Sequence, residues 1–147
     1  MELIERDEFL SLLQTHFNNV AEGEGHCVFV TGEAGIGKTS LVKEFCKEKK
    51  DDCTIYHGAC DALFTPRPLA PLYDILWQVN RERWPVSPSK EERSALFANF
   101  LQELSTKKEE ILIVFEDIHW ADEGTLDFIK FFARRISLLR CLFILTY

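Results

Sequence analysis

The sequence predicts an α/β fold in which a mostly parallel β-sheet lies between two layers of helices. Helical and strand-like segments alternate along the 147 residues, as in repeated strand–helix–strand units. Two of the strand-like segments are apolar on both faces, ILIVF (111–115) most plainly. Strands of that kind are buried in parallel sheets that helices cover on both sides. Ligands in such folds bind at the carboxyl ends of the strands.

Length and composition indicate one globular domain. The 147 residues, 46% of them hydrophobic, suffice for one core. A balance of 17 basic against 24 acidic residues gives a net charge of −7, which argues against a surface that binds nucleic acid or anionic lipid. MELIERDEFL lacks the features of a signal peptide and the apolar runs are short, so we expect a soluble, cytoplasmic chain. Five cysteines without a CxxC pair do not suggest a disulfide framework. Cys53, His57 and Cys60 lie close together in sequence, but three ligands without a second pair make a poor structural zinc site.

The first part of the chain is predicted to contain two helices and two strands. Residues 6–20 have apolar side chains at near-helical spacing, and AEGEG ends that helix. Residues 27–31 form a short apolar strand. From Lys38 the period becomes helical until the charged KEKKDD, and CTIYHG (53–58) is a second strand.

The second part is predicted to contain three more helices. The proline-rich LFTPRPLAP is loop-like, and Pro71 can lie in the first turn of the helix that follows. Ser89 stands three residues before Glu92, which is the spacing of a capping box. Asp122 can cap the last helix. ILIVF and CLFILTY are the third and fourth strands.

The decapeptide TGEAGIGKTS (31–40) lies between the first strand and its helix. It fits the Walker A pattern, GxxxxGK followed by Ser or Thr, at residues 32–39. Glycine permits the positive φ and close approach by which main-chain N–H groups converge on a phosphate. The helix that begins near Lys38 adds its own N–H groups and its positive dipole end. Lys38 can then reach the outer phosphates, and the Thr39 hydroxyl can bind Mg²⁺.

This segment, the P-loop, supplies most of the predicted binding residues. They are Gly32, Glu33, Ala34, Gly35, Ile36, Gly37, Lys38, Thr39 and Ser40. The alternative is a flexible glycine loop without a ligand, but a chance match in a chain of this length has a probability on the order of one percent.

The segment ILIVFED (111–117) has the form of a Walker B strand, which we expect to run beside the P-loop strand. A bound nucleoside triphosphate and its metal require such an acidic partner. Successive strand residues face opposite ways, so both Glu116 and Asp117 reach the nucleotide only if the strand ends there. We assign Glu116 to the metal, directly or through water, and Asp117 to polarising the attacking water. The reverse assignment, or a capping role for one of the two, stays open.

Taken together, the motifs resemble those of the signal-transduction ATPases with numerous domains (the STAND class), particularly the origin-recognition-like AAA ATPase domain of large bacterial transcription regulators and cyclase-associated proteins. GEAGIGK and EDIHWAD are the specific stretches, and further matches run from LIERDEFLSLL to LFILTY. The resemblance implies a three-layer P-loop NTPase of the ASCE/AAA-like type over residues 1–147, as the N-terminal part of a larger nucleotide-binding domain. It also implies ATP or ADP as the ligand. Independently, no guanine-reading (N/T)KxD motif occurs.

The resemblance has further implications. It implies adenine-side contacts by Ile4 and Arg6, although Glu5 stands where the family's signature usually has glycine. Family domains continue past the LTY strand with a phosphate-sensing arginine, a fifth strand and a helical lid. The sequence ends at Tyr147, so we expect the last strand and the lid to be missing. The expected partners are a second copy, effector domains or another protein, with no direct contact to nucleic acid or membrane.

The sequence therefore predicts an ATPase domain that binds Mg·ATP and hydrolyses it slowly as a signalling or regulatory switch. In this hypothesis Lys38 and the loop N–H groups hold the phosphates, Thr39 and Glu116 hold Mg²⁺, and Asp117 orients water. Three alternatives remain open. One is a nucleotide-binding fragment without turnover, because the sensor arginine is absent. The others are a small-molecule P-loop kinase, for which no clear lid is present, and a structural domain with a vestigial P-loop.

Several other residues are expected to have structural roles. His119 and Trp120 are a structural histidine and a packing tryptophan in this interpretation, because phosphoryl transfer to water needs positioned charge more than an imidazole base. Arg134 and Arg135 lie near a helix end, where arginines are more often solvated or stabilise the helix dipole than reach a neighbour's nucleotide. Trp77 is predicted to pack in the core.

Overall fold

A four-stranded parallel sheet forms the centre of the protein. The computed structural model describes residues 2–31, 37–60, 68–79, 84 and 88–147, with the side chains of 2–6 and 38 excepted. The strands are β1 (His26–Val30), β2 (Thr54–Ala59), β3 (Ile111–Glu116) and β4 (Cys141–Thr146). They lie in the order β1-β4-β3-β2, and every neighbouring pair is parallel. The predicted parallel sheet is thus confirmed, with strand bounds that differ from the expected ones by about a residue.

One predicted strand neighbour is wrong. The Walker B strand β3 does not run beside the P-loop strand β1, because β4 lies between them. Both β3 and β4 are buried along their whole length, whereas β1 is only partly buried. The two most apolar strands therefore occupy the middle of the sheet, where neighbours cover both edges and helices cover both faces. The order of motifs along the chain carries no information about which strand is inserted between two others.

Helices cover both faces of the sheet. They are α1 (Glu2–Ala21), α2 (Lys38–Lys49), α3 (Ala70–Val79), α4 (Lys90–Ser105) and α5 (Glu123–Arg135), with 3₁₀ turns at Ile118–Trp120 and Ile136–Leu138. Residues of α1 and α2 pack on one face, and those of α3, α4 and α5 on the other. The predicted three layers are confirmed. The first helix begins at Glu2 rather than at residue 6, because its first residues precede the apolar repeat from which the helix was predicted.

The alternation of side chains along β3 connects the two halves of the core. Leu112 and Val114 pack with apolar residues of α1 and α2, whereas Ile113 and Phe115 pack with those of the opposite layer. Successive strand residues point to opposite faces, so the alternation continues into the acidic end of the strand. Glu116 accordingly lies on the α2 side of the sheet.

The predicted starts of α3, α4 and α5 are confirmed. Ser89 and Glu92 form a reciprocal capping box at α4, with both hydrogen bonds at 3.2 Å. Asp122 caps α5 by accepting hydrogen bonds from the N–H groups of Gly124 and Thr125. It also accepts the N–H of Leu69 at 3.2 Å, which joins the start of α5 to the turn before α3. Pro71 lies in the first turn of α3, as expected.

The outward face of α3 differs from the prediction for its tryptophan. Trp77 is 62% exposed, because the buried stripe of α3 is formed by Leu72, Ile75 and Leu76 and Trp77 lies on another side of the helix. None of the helices within the described residues is both long and apolar enough to cross a bilayer.

Candidate functional site

The carboxyl ends of β1, β4 and β3 meet at one edge of the sheet. Val30 at the end of β1 is in register with Thr146 at the end of β4, and the N–H of Tyr147 donates to the Val30 carbonyl at 3.1 Å. Glu116 ends the adjacent strand β3. The P-loop strand β1 and the acidic strand β3 therefore end at the same edge of the sheet, with β4 between them. Ligands of open parallel sheets bind at this edge.

After residues 32–36, the described part of the P-loop resumes at Gly37. Gly37 has φ 84° and ψ 23° at the N-cap of α2, a conformation that strongly favours glycine. Its carbonyl accepts the N–H of Leu41 at 2.9 Å, so the helix begins at Lys38. Thr39 and Ser40 are exposed in the first turn. Predicted residues 32–36, together with the side chain of Lys38, lie outside the described residues.

The N-terminus of α2 differs from those of the two helices that carry side-chain caps. Its N-cap residue, Gly37, makes no side-chain capping bond, and its first turn contains no acidic residue. By contrast, Ser89 caps α4 and Asp122 caps α5, and both of those helices have glutamates in the first turn. The first N–H groups of a helix have no intrahelical partner. Those of α2, with the positive end of the helix dipole, therefore remain suited to an anion.

Glu116 is a buried carboxylate on the α2 side of the sheet. Its residue exposure is 9%, and Oε2 lies 2.9 Å from Nε2 of His57. Oε1 is buried and has no hydrogen-bond partner among the described residues. Burial raises the pKa of the Cys46 thiol of α2 to about 11, and the charge of Glu116 acts in the same direction, which places the carboxylate close to α2. A buried carboxylate oxygen without a partner is costly, so this oxygen suits a cation or a bound water.

Asp117 follows the end of β3 and leaves the sheet. It has the left-handed conformation, φ 58° and ψ 48°, and its side chain is exposed. Its N–H donates to the Thr146 hydroxyl at 2.9 Å. The strand thus ends between the two carboxylates, as the sequence argument required if both were to serve one site.

The residues after Asp117 form a small aromatic group at the same edge. The ring of His119 contacts those of Trp120, at 5.1 Å between centroids, and Tyr147, at 5.8 Å. Trp120 is 49% exposed, so it packs on its neighbour and does not belong to the core.

Arg135 lies at the C-terminal end of α5. It donates to the carbonyl of Phe131 at 3.0 Å, and the expected helix-end role of this arginine is confirmed.

Two residues of the site, His57 and Thr146, are not predicted as site residues from the sequence. Thr146 is the polar last residue of an otherwise apolar strand, and His57 is the one ionisable imidazole of β2, which is the available signal. The backbones of Ile4 and Arg6 lie in α1, and their side chains lie outside the described residues.

Comparison with known proteins gives a family and a fold. A family model described as AAA ATPase domain matches residues 2–144. None of the curated proteins compared matches the chain. Two similar solved structures are that of Drosophila ORC bound to DNA (TM-score 0.59, 12% identity, 99% of this chain and 77% of that chain) and that of Drosophila ORC bound to AT-rich DNA and Cdc6 (TM-score 0.55, 13% identity, 99% and 50%). At these identities the likeness shows the fold alone, which is that of a P-loop AAA+ NTPase.

Proposed function

The chain belongs to the AAA ATPase domain family, and from this premise we propose that it binds Mg·ATP at the edge of the sheet where β1 and β3 end and hydrolyses it slowly as a regulatory switch. The observation that carries the proposal is the position of Glu116. It lies at the carboxyl end of β3, on the face covered by α2, which is the helix that begins at the end of the P-loop.

The phosphates are bound by the start of α2. Its N-cap residue, Gly37, has no side chain to cap the first-turn N–H groups, and Lys38 and the glycines of residues 32–37 complete the polyanion site in this proposal. The net charge of the chain, −7, opposes the approach of ATP. The local N–H groups and Lys38 therefore have to supply the attraction.

The residues available for a metal are Thr39 and Glu116. The unpartnered, buried Oε1 of Glu116 fits a divalent cation or a water of its hydration shell, because hard cations prefer carboxylate, hydroxyl and water oxygens. Bound Mg²⁺ would neutralise charge on the phosphate oxygens. Thr39 is exposed in the first turn of α2, where its hydroxyl is accessible to the same cation.

Asp117 is proposed to orient the attacking water. Its carboxylate is exposed beside Glu116, and its backbone is fixed by the bond to Thr146. An ionised carboxylate accepts hydrogen bonds only, so it can hold a water with one proton directed at itself and a lone pair directed at the phosphate. Hydrolysis in this class depends on such positioning more than on covalent chemistry.

Finer assignments rest on the sequence resemblance. We propose the STAND subclass, ATP in preference to GTP, and adenine-side contacts by Ile4 and Arg6. We also propose a cytoplasmic switch domain, the N-terminal part of a larger nucleotide-binding domain, that docks to effector domains, to another protein or to a second copy. The two ORC structures contain DNA, but the net charge of −7 supports no direct contact between this domain and nucleic acid.

The test compares the wild-type protein with Lys38→Ala. Isothermal titration with ATP and Mg²⁺ should show binding that weakens by about 10- to 100-fold in the variant, since a charge-assisted contact is lost. Phosphate release should be measured on the same samples. Equal release by both proteins would overturn the ATPase assignment and leave a nucleotide-binding fragment. Absence of ATP binding by the wild type would leave a vestigial P-loop.

A further inference from the structure

We propose that His57 is a positioning residue for Glu116: its imidazole holds one carboxylate oxygen so that the other is presented to the metal. The inference rests on the proposed function, because it concerns the metal side of the same site. It assigns a role in that site to β2, a strand that carries neither Walker motif.

The pairing of β2 with β3 brings the two side chains together. Ala59 is in register with Glu116, and His57 with Val114. His57 and Glu116 are therefore diagonal neighbours on one face of the sheet, a spacing that long side chains bridge. Nε2 of His57 lies 2.9 Å from Oε2 of Glu116, and the side chains are 45% and 12% exposed respectively.

The two oxygens of Glu116 thus have different environments. Oε2 lies within hydrogen-bond distance of Nε2 of His57, whereas buried Oε1 has no partner within the described part of the chain. An imidazole can donate Nε2–H whether it is neutral or protonated, so the positioning does not require a charged histidine. A carboxylate held at one oxygen loses rotational freedom, and the other oxygen becomes a fixed ligand. Such outer partners of metal ligands set ligand orientation and affinity.

The backbone of His57 is itself held in place. Its carbonyl accepts a hydrogen bond from Nε2 of Gln78 at 3.2 Å. The next residue, Gly58, lies so close to α3 that a Cβ there would be 2.4 Å from the carbonyl oxygen of Pro71. Close contact with α3 at two successive residues fixes the strand from which the imidazole extends, which a positioning residue requires.

The experiment measures how much Mg²⁺ is needed for binding of a fluorescent ATP analogue. Proteins to compare are the wild type, His57→Leu, His57→Gln, Glu116→Gln and the double variant of His57→Leu with Glu116→Gln. We expect His57→Leu to raise the Mg²⁺ concentration for half-maximal binding by about 10- to 100-fold. Binding in EDTA should stay unchanged. His57→Gln keeps an N–H donor at similar reach and should recover most of the loss.

The double variant tests whether His57 acts through Glu116. His57→Leu should have no further effect once Glu116 is glutamine, because both substitutions act on the same metal-binding carboxylate. A second readout needs no nucleotide or metal: the NMR resonance of the His57 Nε2–H should shift in Glu116→Gln. Urea unfolding of each variant verifies that it is folded.

Each contrary result has a distinct meaning. Unchanged Mg²⁺ dependence in a folded His57→Leu protein, or equal weakening with and without Mg²⁺, would overturn the positioning role and leave the proposed function intact. An additive effect in the double variant would also overturn it. A wild-type protein without Mg²⁺-dependent nucleotide binding would overturn both proposals.

Discussion

The backbone N–H of Asp117 donates a 2.9 Å hydrogen bond to the side-chain hydroxyl of Thr146. Asp117 is the first residue after β3, in a left-handed conformation, and Thr146 is the last residue of β4, with 2% exposure. The bond joins the ends of two neighbouring strands at the candidate site. It therefore determines the direction in which the chain, and the carboxylate of Asp117, leave the sheet.

Replacing Thr146 tests this bond. Thr146→Val removes the acceptor with little change in shape, and loss of one hydrogen bond should slow phosphate release by about 3- to 10-fold. ATP affinity should remain near that of the wild type, because the phosphate-binding N–H groups are on α2. Thr146→Ser, which retains the hydroxyl, is the matched control. Equal rates for the valine and serine variants would mean that the hydroxyl does not position Asp117.

The two adjacent carboxylates should have separable roles. Asp117→Asn should retain Mg²⁺-dependent ATP binding and lower phosphate release by about 10²- to 10⁴-fold, the range for loss of a positioned acid or base. Glu116→Gln should weaken Mg²⁺-dependent binding itself, because it removes the charge that faces the metal. Equilibrium binding and single-turnover hydrolysis on both variants give the comparison. If the two phenotypes are exchanged, the reverse assignment is correct.

The sequence predicts those features of this protein that depend on local chemistry. The capping box at Ser89, the cap at Asp122 and the buried apolar strand at residues 111–115 follow from residues within a few positions of one another. The insertion of β4 between β1 and β3 and the contact of His57 with Glu116 depend on strand order and register. These are set by long-range packing, and a single sequence does not record them.

Asp122 should contribute more to stability than an ordinary cap. It accepts hydrogen bonds from Gly124, from both the N–H and the hydroxyl of Thr125, and from the N–H of Leu69. Asp122→Ala should lower the free energy of unfolding by about 2–3 kcal/mol, since it removes a cap and a tie to the turn before α3. Ser89→Ala, at an exposed cap, should cost about 1 kcal/mol. Urea unfolding measures both, and equal losses would show that the Leu69 contact adds nothing.

The free energy of unfolding should decrease as the pH falls, because the unfolded chain protonates His16 more readily than the folded chain does. Burial lowers the pKa of His16 below its ordinary value, and the nearby His26, whose ring centroid is 5.0 Å away, lowers the pKa further. As the pH falls through about 6.5 the unfolded chain takes up a proton that the folded chain still excludes, so the unfolded state is favoured. The loss stops below the folded pKa, where both states are protonated.

The corresponding variant is His16→Gln. Its free energy of unfolding should decline less than that of the wild type between about pH 7.5 and 5.5, because one source of proton uptake is gone. Urea titrations at several pH values give the two slopes. His26→Gln removes only the neighbouring charge and should produce an intermediate slope. Parallel pH profiles for the wild type and His16→Gln would contradict the prediction.

The strand order also determines when the site can exist during synthesis. Within the described residues β1 has one sheet neighbour, β4, which follows β2 and β3 in the chain and therefore leaves the ribosome after them. In a nascent chain that has already formed α2, β1 lacks its described strand neighbour until Cys141–Thr146 emerges and pairs with it. Until then, apolar strand edges are open to chaperones or to other nascent chains. Nucleotide would therefore be recruited late, after β4 has entered the sheet beside β1.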